Sequence, residues 1–526
     1  MNSLRCDEAA WLLHERINRT AVPYPDDTTV NELFEIVAAR QPDAPAVIDG
    51  DETCSYHALN AFADALAARL EDAGARPGDV VALTLPHGLA QIVALLAILK
   101  AGAAYLPLDA AWPAHRQAQL LAQTGCRYVM CAEMPPRGSA FETCEILIVS
   151  LDLLRVCSAD LDTTRIGSRA RATADSIAYF NFTSGSTGKP KGVPIVHRSI
   201  ARLVFGAYYA RLDRTSRVLQ MAPITFDAAT FEIWGPLLNG GVCVIYDESF
   251  VRASRLRGLI ERHHINLMFL TTALFNALVD EAPATLANVA TILTGGEAHS
   301  MRHMSEALRY YGPGRIVSVY GPTESTTFAT WYPVREIRSD ETMLPIGFPI
   351  QNTRIYVVDE GALCKSGQTG EICIAGPGLT PGYLGLSEFN RERFVEYELG
   401  ERRERLYHSG DTGYLREDGV LVFQGRKDEQ VKINGFRIEL GEIAFHLDCH
   451  AGIRRSCVTV HDDGIEKRLV AFVVAKDANC HAECIRAELA EVLPAYMVPA
   501  QIHLCDDLPI SPNGKIDRQH LKKRLE

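Results

Sequence analysis

The chain lacks a long hydrophobic run, a short-spaced cysteine framework and any excess of positive charge. Its most apolar stretch, Ile92 to Leu99, ends at Lys100 and Gly102. A membrane span needs about 20 apolar residues, so this run reads as a buried helix leading into a strand. Met1 to Glu8 lack the apolar centre of a secretory signal. The 14 cysteines are scattered over 526 residues, as in a protein whose thiols stay reduced in the cytosol. Their tightest group, Cys480-His481-x-x-Cys484 with Cys505 beyond it, fits no standard zinc spacing. A formal net charge of −12 argues against a general nucleic-acid binder and a polybasic membrane binder. It leaves room for a small anionic substrate held by a few local lysines. There is no internal repeat, heptad array or low-complexity tract.

What is present is ordinary globular composition, 47% hydrophobic and 22% charged, over a length that calls for several lobes. Residues 1–28 read as an N-terminal extension, with one amphipathic stretch around Trp11 and Ile17 and a linker-like Ala21 to Asp27. From residue 29 to 427, strand-like runs alternate with helix-like ones, as Val80 to Leu85 with Leu89 to Leu99. Leu267 to Leu270 followed by Thr271 to Val279 repeats the pattern. That alternation predicts an α/β fold of βαβ-built, largely parallel sheets. Near Gly425 to Asp428 the pattern changes to short strands and helices, predicting a small α+β lid over 428–526.

The loop Thr183-Ser184-Gly185-Ser186-Thr187-Gly188-Lys189-Pro190-Lys191-Gly192 lies between two strand-like runs. Glycines let backbone N–H groups fold around an anion, hydroxyls add donors, and two lysines supply charge for a polyphosphate. It is not a Walker loop, because Pro190 follows the first lysine where that motif opens a helix.

Nine further motifs accompany this loop in a fixed order. Ser55 to Asn60 and Leu99 to Asp109 precede it. Phe226-Asp227-Ala228-Ala229, Tyr320-Gly321-Pro322-Thr323-Glu324, Gly370 to Ile374 and Ser409-Gly410-Asp411 follow. Gly425 to Ile433, Leu493 to Pro499 and Asn513-Gly514-Lys515-Ile516-Asp517-Arg518 end the series. Together they resemble the adenylation domains of nonribosomal peptide synthetases, within the adenylate-forming superfamily of acyl-CoA ligases and luciferases. The resemblance runs from about residue 30 to 519. Thr380-Pro381-Gly382-Tyr383 and Ser409-Gly410-Asp411-Thr412 depart slightly from the usual patterns without removing a reacting group. The implied fold is a large N-terminal region, two sheet subdomains plus a small β-barrel-like part, carrying a small mobile lid.

The resemblance implies attack of a carboxylate on the α-phosphorus of ATP, giving an acyl-adenylate and pyrophosphate. Two anions must meet, so catalysis is charge neutralisation and alignment. Thr183, Ser184, Gly185, Ser186, Thr187, Gly188 and Lys189 would hold the phosphates, with Thr187 taken as catalytic. Glu324, beside Thr323, would bind Mg²⁺. Tyr320 would stack on adenine, Asp411 accept the ribose hydroxyls, and Arg426 complete the nucleotide site. Lys515 would enter on the lid and bridge substrate carboxylate and phosphate. Read alone, Glu324 would be a helix-start residue, Asp411 a turn aspartate and Lys515 a solvated turn lysine.

Aligned on these motifs, the acid pocket falls on Asp227, Ala228, Phe231, Phe269, Leu293, Gly295, Val319, Thr327, Phe328 and Lys515. A buried α-ammonium needs a carboxylate, so Asp227 argues for an α-amino acid. The remaining wall is apolar but for Thr327. Three phenylalanines narrow it while Ala228 and Gly295 leave depth, so isoleucine or valine is expected, then leucine. For the second half-reaction the resemblance implies transfer to the phosphopantetheine thiol of a peptidyl carrier protein. Asp428 would be the hinge of the lid and Gly435 the passage for the pantetheine arm. The extension suggests a preceding condensation domain, and a helper of the MbtH type is a further possible partner. No Gly-Gly-x-Ser-Leu carrier motif is present, which suggests an excised piece or a stand-alone enzyme serving a separate carrier. An acyl- or aryl-CoA ligase, or an inactive adenylate-fold interaction protein, are the competing readings.

Overall fold

The computed structural model describes residues 2–159, 172–185, 188–248, 250–338, 341–400, 402–462, 467–476, 480–509 and 516–525. Ser186, Thr187 and Lys515 therefore lie outside the described residues.

Two predominantly parallel sheets form the body. The nine-stranded one runs, from edge to edge, Phe348–Pro349, Thr330–Val334, Ile316–Tyr320, Thr291–Gly295, Leu267–Thr271, Arg217–Gln220, Val242–Ile245, Pro45–Asp49, Glu52–Ser55. The six-stranded one runs Glu145–Ile148, Tyr128–Cys131, Val80–Leu83, Ala104–Pro107, Ile177–Thr183, Lys191–Val196. Strands such as Val80–Leu83 and Val242–Ile245 are buried along their whole length, as parallel strands covered on both faces must be. The helices Leu89–Lys100 and Ala228–Leu238 are buried on every side, which explains why both are apolar all round. Among the described residues no helix is long and apolar enough to cross a membrane.

A third, mainly antiparallel sheet of seven strands is built on the long strand Arg402–Leu415. A bridge between Arg5 and Ala362 joins its two edges, giving the barrel-like part. The N-terminal extension contributes here and is docked rather than a free linker. Asn2–Ser3 pairs with Phe394–Leu399, and the helix Glu8–Ile17, capped by Asp7 accepting from the Ala10 N–H, packs on the sheet. His14 Nε2 accepts from the Val357 N–H at 3.2 Å, and Asn18 exchanges hydrogen bonds with the Ile355 backbone.

The lid holds the hairpin Gln430–Ile433 and Phe436–Glu439, the helix Leu440–Cys449 and a three-stranded sheet, Ile453–Asp462, Lys467–Ala475 and Gln501–Cys505. Its apolar clusters contain residues from 431 onward, and those of the body contain residues up to 423. The four strands ending at Thr183, Thr271, Gly295 and Tyr320 open their carboxyl ends toward one crevice, where parallel α/β sheets bind ligands. The lid hairpin covers that crevice.

Candidate active site

Tyr320, Asp411, Arg426 and Lys432 line a cavity of about 400 Å³ at the end of the strand Ile316–Tyr320. Register puts Asp411 opposite Arg426 on neighbouring antiparallel strands. The Arg426 guanidinium donates to Asp411 Oδ1 at 2.5 Å, and the Tyr320 hydroxyl donates to Oδ2 at 2.5 Å. Burial and the adjoining carboxylate push the Tyr320 phenol well up. Arg426 also grips Asp428 through two hydrogen bonds, of 2.7 and 2.9 Å. The same arginine thus ties the cavity wall to the residue read as the hinge.

A second cavity, of about 310 Å³, is lined by Asp227, Ala228 and Phe269 from the body and by Asn434, Gly435 and Phe436 from the lid. Asp227 precedes the helix Ala228–Leu238, yet its side chain does not cap it. Burial raises its carboxyl above the usual range, against the pull of the Thr323 hydroxyl and of Lys432. Phe269 lines this cavity, and Phe231 and Phe328 pack behind it, with ring centroids 5.5 Å apart for Phe231–Phe328 and 5.8 Å for Phe269–Phe328. Leu293, Gly295 and Val319 lie buried on the adjacent strands. The Thr327 hydroxyl, the polar group expected in the wall, donates to the Asp227 carbonyl at 2.8 Å. It serves the backbone rather than standing free for a ligand.

Thr326 and Thr327 adopt φ of 57° and 69°, a region that β-branched residues avoid. Arg202 holds this turn. Its guanidinium is fully buried and donates to the carbonyls of Ser325, Thr326 and Phe328. Neither Arg202 nor Tyr209, whose ring packs on Phe231 and Phe328, carried any sequence signal, because each acts through contacts more than 20 residues away.

Glu324 is fully buried next to this turn. Burial alone would raise its carboxyl, but the Arg437 guanidinium at 2.7 Å and the Tyr383 hydroxyl at 2.6 Å outweigh that and hold it at about 2. An anion at every working pH, it suits a hard cation. Among the described residues no cluster of three or more His, Cys, Asp or Glu side chains forms a metal cage. Thr183 begins the loop read as a phosphate cradle with a buried hydroxyl that has no partner among the described residues, a donor suited to an anion. Of the loop, Ser184, Gly185 and Gly188 face the lid, whereas Lys189 is exposed.

The hairpin turn is Asn434-Gly435, with φ of 53° and 83°. The Gly435 N–H donates to Glu297 Oε1 at 3.0 Å, and a side chain there would come within 3.0 Å of Thr271 Cγ2. This hairpin reaches the crevice, and the lid's Val460 and Lys467 also line the first cavity and Tyr496 the second. Ile516, next to Lys515, packs in the lid's own core with Cys505. Sequence reading took Gly435 from the family pattern but missed Arg437, Glu439 and Glu442, whose partners lie across the crevice.

The arrangement of strand ends, loop, buried glutamate and lid can be matched with known proteins. The AMP-binding enzyme profile covers residues 34–384, and that of the AMP-binding enzyme C-terminal domain covers 446–515. This chain belongs to the AMP-binding enzyme family. It is 40% identical over 519 residues to malpibaldin synthetase of Mortierella alpina, and 38% identical over 519 residues to bacitracin synthase 1 of Bacillus licheniformis. Both matches take in 98% of the chain but only 9% and 10% of those proteins. The solved structure of holo-PA1221, a nonribosomal peptide synthetase protein containing adenylation and carrier (PCP) domains, superposes with a TM-score of 0.86. It is 33% identical, over 95% of this chain and 84% of that one. Within the family the chain is thus an adenylation domain of the nonribosomal peptide synthetase type, an ATP-dependent, AMP-forming ligase.

Proposed function

We propose that the chain activates an aliphatic α-amino acid, isoleucine or valine ahead of leucine, as its adenylate. It then passes the aminoacyl group to the phosphopantetheine thiol of a carrier protein. The observation that carries this reading is Asp227, a half-buried carboxylate that does not cap its helix and lines the cavity between body and lid. Its described cations, Lys432 and Arg437, act on it through space, so an entering α-ammonium supplies the close partner it lacks. The packed phenylalanines behind it make an apolar wall that favours an aliphatic side chain and offers no polar group to a charged one.

In this mechanism Asp227 orients the amino acid with its carboxylate toward the α-phosphorus. Tyr320, Asp411 and Arg426 seat the adenosine, and the loop from Thr183 to Lys189 takes the β- and γ-phosphates. Glu324 would hold Mg²⁺ carried in on the phosphates, which supplies charge neutralisation at the transferring phosphorus. Lys515 neutralises the oxygens between the two reactants. A carboxylate oxygen bonds to the α-phosphorus, the α–β bridge breaks, and pyrophosphate leaves. The lid then turns about Asp428, and the pantetheine arm enters past Gly435. Its sulfur attacks the acyl carbon, loses its proton, and AMP departs with the bridging oxygen. On this reading residues 29–427 and 428–526 are the two moving bodies. A condensation domain and an MbtH-type helper are candidate neighbours.

Amino-acid-dependent ATP–pyrophosphate exchange with the proteinogenic set tests this directly. Isoleucine or valine should give the highest rate, and Lys515→Ala should abolish it. Fatty or aryl acids outrunning every amino acid would show an acyl- or aryl-CoA ligase instead.

A further inference from the structure

The loop read as the phosphate cradle is in contact with carboxylates and backbone groups of the lid. The Gly185 N–H donates to Glu442 Oε2 at 2.9 Å, and Arg116 of the body donates to Glu442 Oε1 at 2.6 Å. Lys191 Nζ lies 2.9 Å from Glu439 Oε1. The Ser184 hydroxyl accepts from the Glu439 N–H at 2.8 Å and donates to the Arg437 carbonyl at 2.9 Å. On the other side, Glu324 receives the Arg437 guanidinium at 2.7 Å. Phe445, one turn beyond Glu442 on the lid helix Leu440–Cys449, lays its ring on Gly188 so closely that no side chain fits there.

The polarity of this interface repeats that of a metal–pyrophosphate. Where phosphate oxygens would meet a backbone N–H and a lysine, lid carboxylates sit; where a cation would meet Glu324, a lid guanidinium sits. Glu442 is fully buried, and a buried carboxylate is tolerated only when fully paired; among the described residues its partners are Arg116 and the Gly185 N–H of the body. These pairs match the lid's carboxylates to donors of the body, so the lid can dock on an emptied loop without burying an unpaired charge.

We infer that Glu439 and Glu442 are positioning residues for the thiol-transfer step. They take the pyrophosphate seats of the loop once it is vacated, and so latch the lid with its hairpin in the crevice. Pyrophosphate and the latched lid exclude one another. The inference rests on the adenylation reading above, and its test separates the two.

Glu442→Gln and the Glu439→Gln/Glu442→Gln pair keep the side-chain shape while removing charge and one acceptor oxygen at each position. In the full chain, exchange should stay within about twofold of the parent. Aminoacyl transfer to free pantetheine, with pyrophosphatase present, should fall at least tenfold. In the unsubstituted protein, saturating inorganic pyrophosphate with Mg²⁺ should speed hydrogen exchange across residues 430–439, and the double variant should show the fast rates without it. The pyrophosphate titration needs no variant, so it decides even where a substitution impairs folding. Unchanged transfer in Glu442→Gln, equal losses in both half-reactions, or hairpin exchange insensitive to pyrophosphate would each overturn the latch. Absence of exchange with every amino acid in the unsubstituted protein would instead sink the adenylation reading.

Discussion

Asp227 begins a helix without capping it, so its charge is reserved for something other than local structure. Burial raises its carboxyl above the ordinary 3.8, which means the folded chain holds that proton more tightly than the unfolded chain does. Stability from this group is therefore full at acid pH and declines as pH rises through the raised value. Asp227→Asn should raise the melting temperature near neutral pH while cutting amino-acid-dependent exchange by about a hundredfold, the order expected when a charged partner is lost. In the unsubstituted protein, kcat/KM for the amino acid should fall on the acid side with a midpoint above 3.8. An acid limb that persists unchanged in the asparagine variant would assign it to another group. The identity of this residue was readable from its motif, but its environment was not. Phe231, Phe269 and Phe328 are far apart in sequence, and only the fold packs them into one wall. Thr327 shows the limit of reading residue types: a polar side chain in the list of wall positions satisfies a backbone carbonyl.

At the scale of elements, period and punctuation carried the body. The run before Gly102 is a helix, and the two strand-like runs flanking the glycine-rich loop form the hairpin of Ile177–Thr183 and Lys191–Val196. The lid hairpin was half readable. Val431 to Ile433 is a strand as expected, whereas its return strand, Phe436–Glu439, was hidden because its outward residues are charged and pair across the crevice. Its turn is of the kind two-residue hairpins favour, with positive φ at both Asn434 and Gly435. Gly435→Ala combines a strained φ of 83°, about 1 kcal/mol, with a methyl 3.0 Å from Thr271 Cγ2. The Thr271 methyl and the hairpin tip must then part by a few tenths of an ångström, which loosens the seat of the hairpin in the crevice. Transfer to pantetheine should drop at least tenfold with exchange little changed. Equal rates of transfer in the alanine variant and the parent would show that the tip can sit elsewhere during that step.

For the whole molecule, the division of apolar clusters sets how the parts hold together. The body's clusters and the lid's share no residue. What joins them is largely ionic: Arg116–Glu442, Lys191–Glu439, Arg437–Glu324 and Lys467–Glu297, with the Phe226–Phe436 ring contact 4.6 Å between centroids. Buried pairs return little net stability, since desolvation offsets their attraction, although they fix the geometry in which two bodies meet. Each body should therefore fold on its own hydrophobic core and couple only weakly to the other. Calorimetry of the full chain should show two unfolding transitions, the smaller one matching that of a 428–526 fragment. Raising salt from 0.05 to about 0.5 M, where the screening length falls to ~4 Å, should separate the two further, because the partly exposed Lys467–Glu297 pair weakens first. A single transition at every salt concentration, together with an unfolded fragment, would mean that the lid borrows its stability from the body. The ionic interface would then be a consequence of the fold rather than a joint on which it turns.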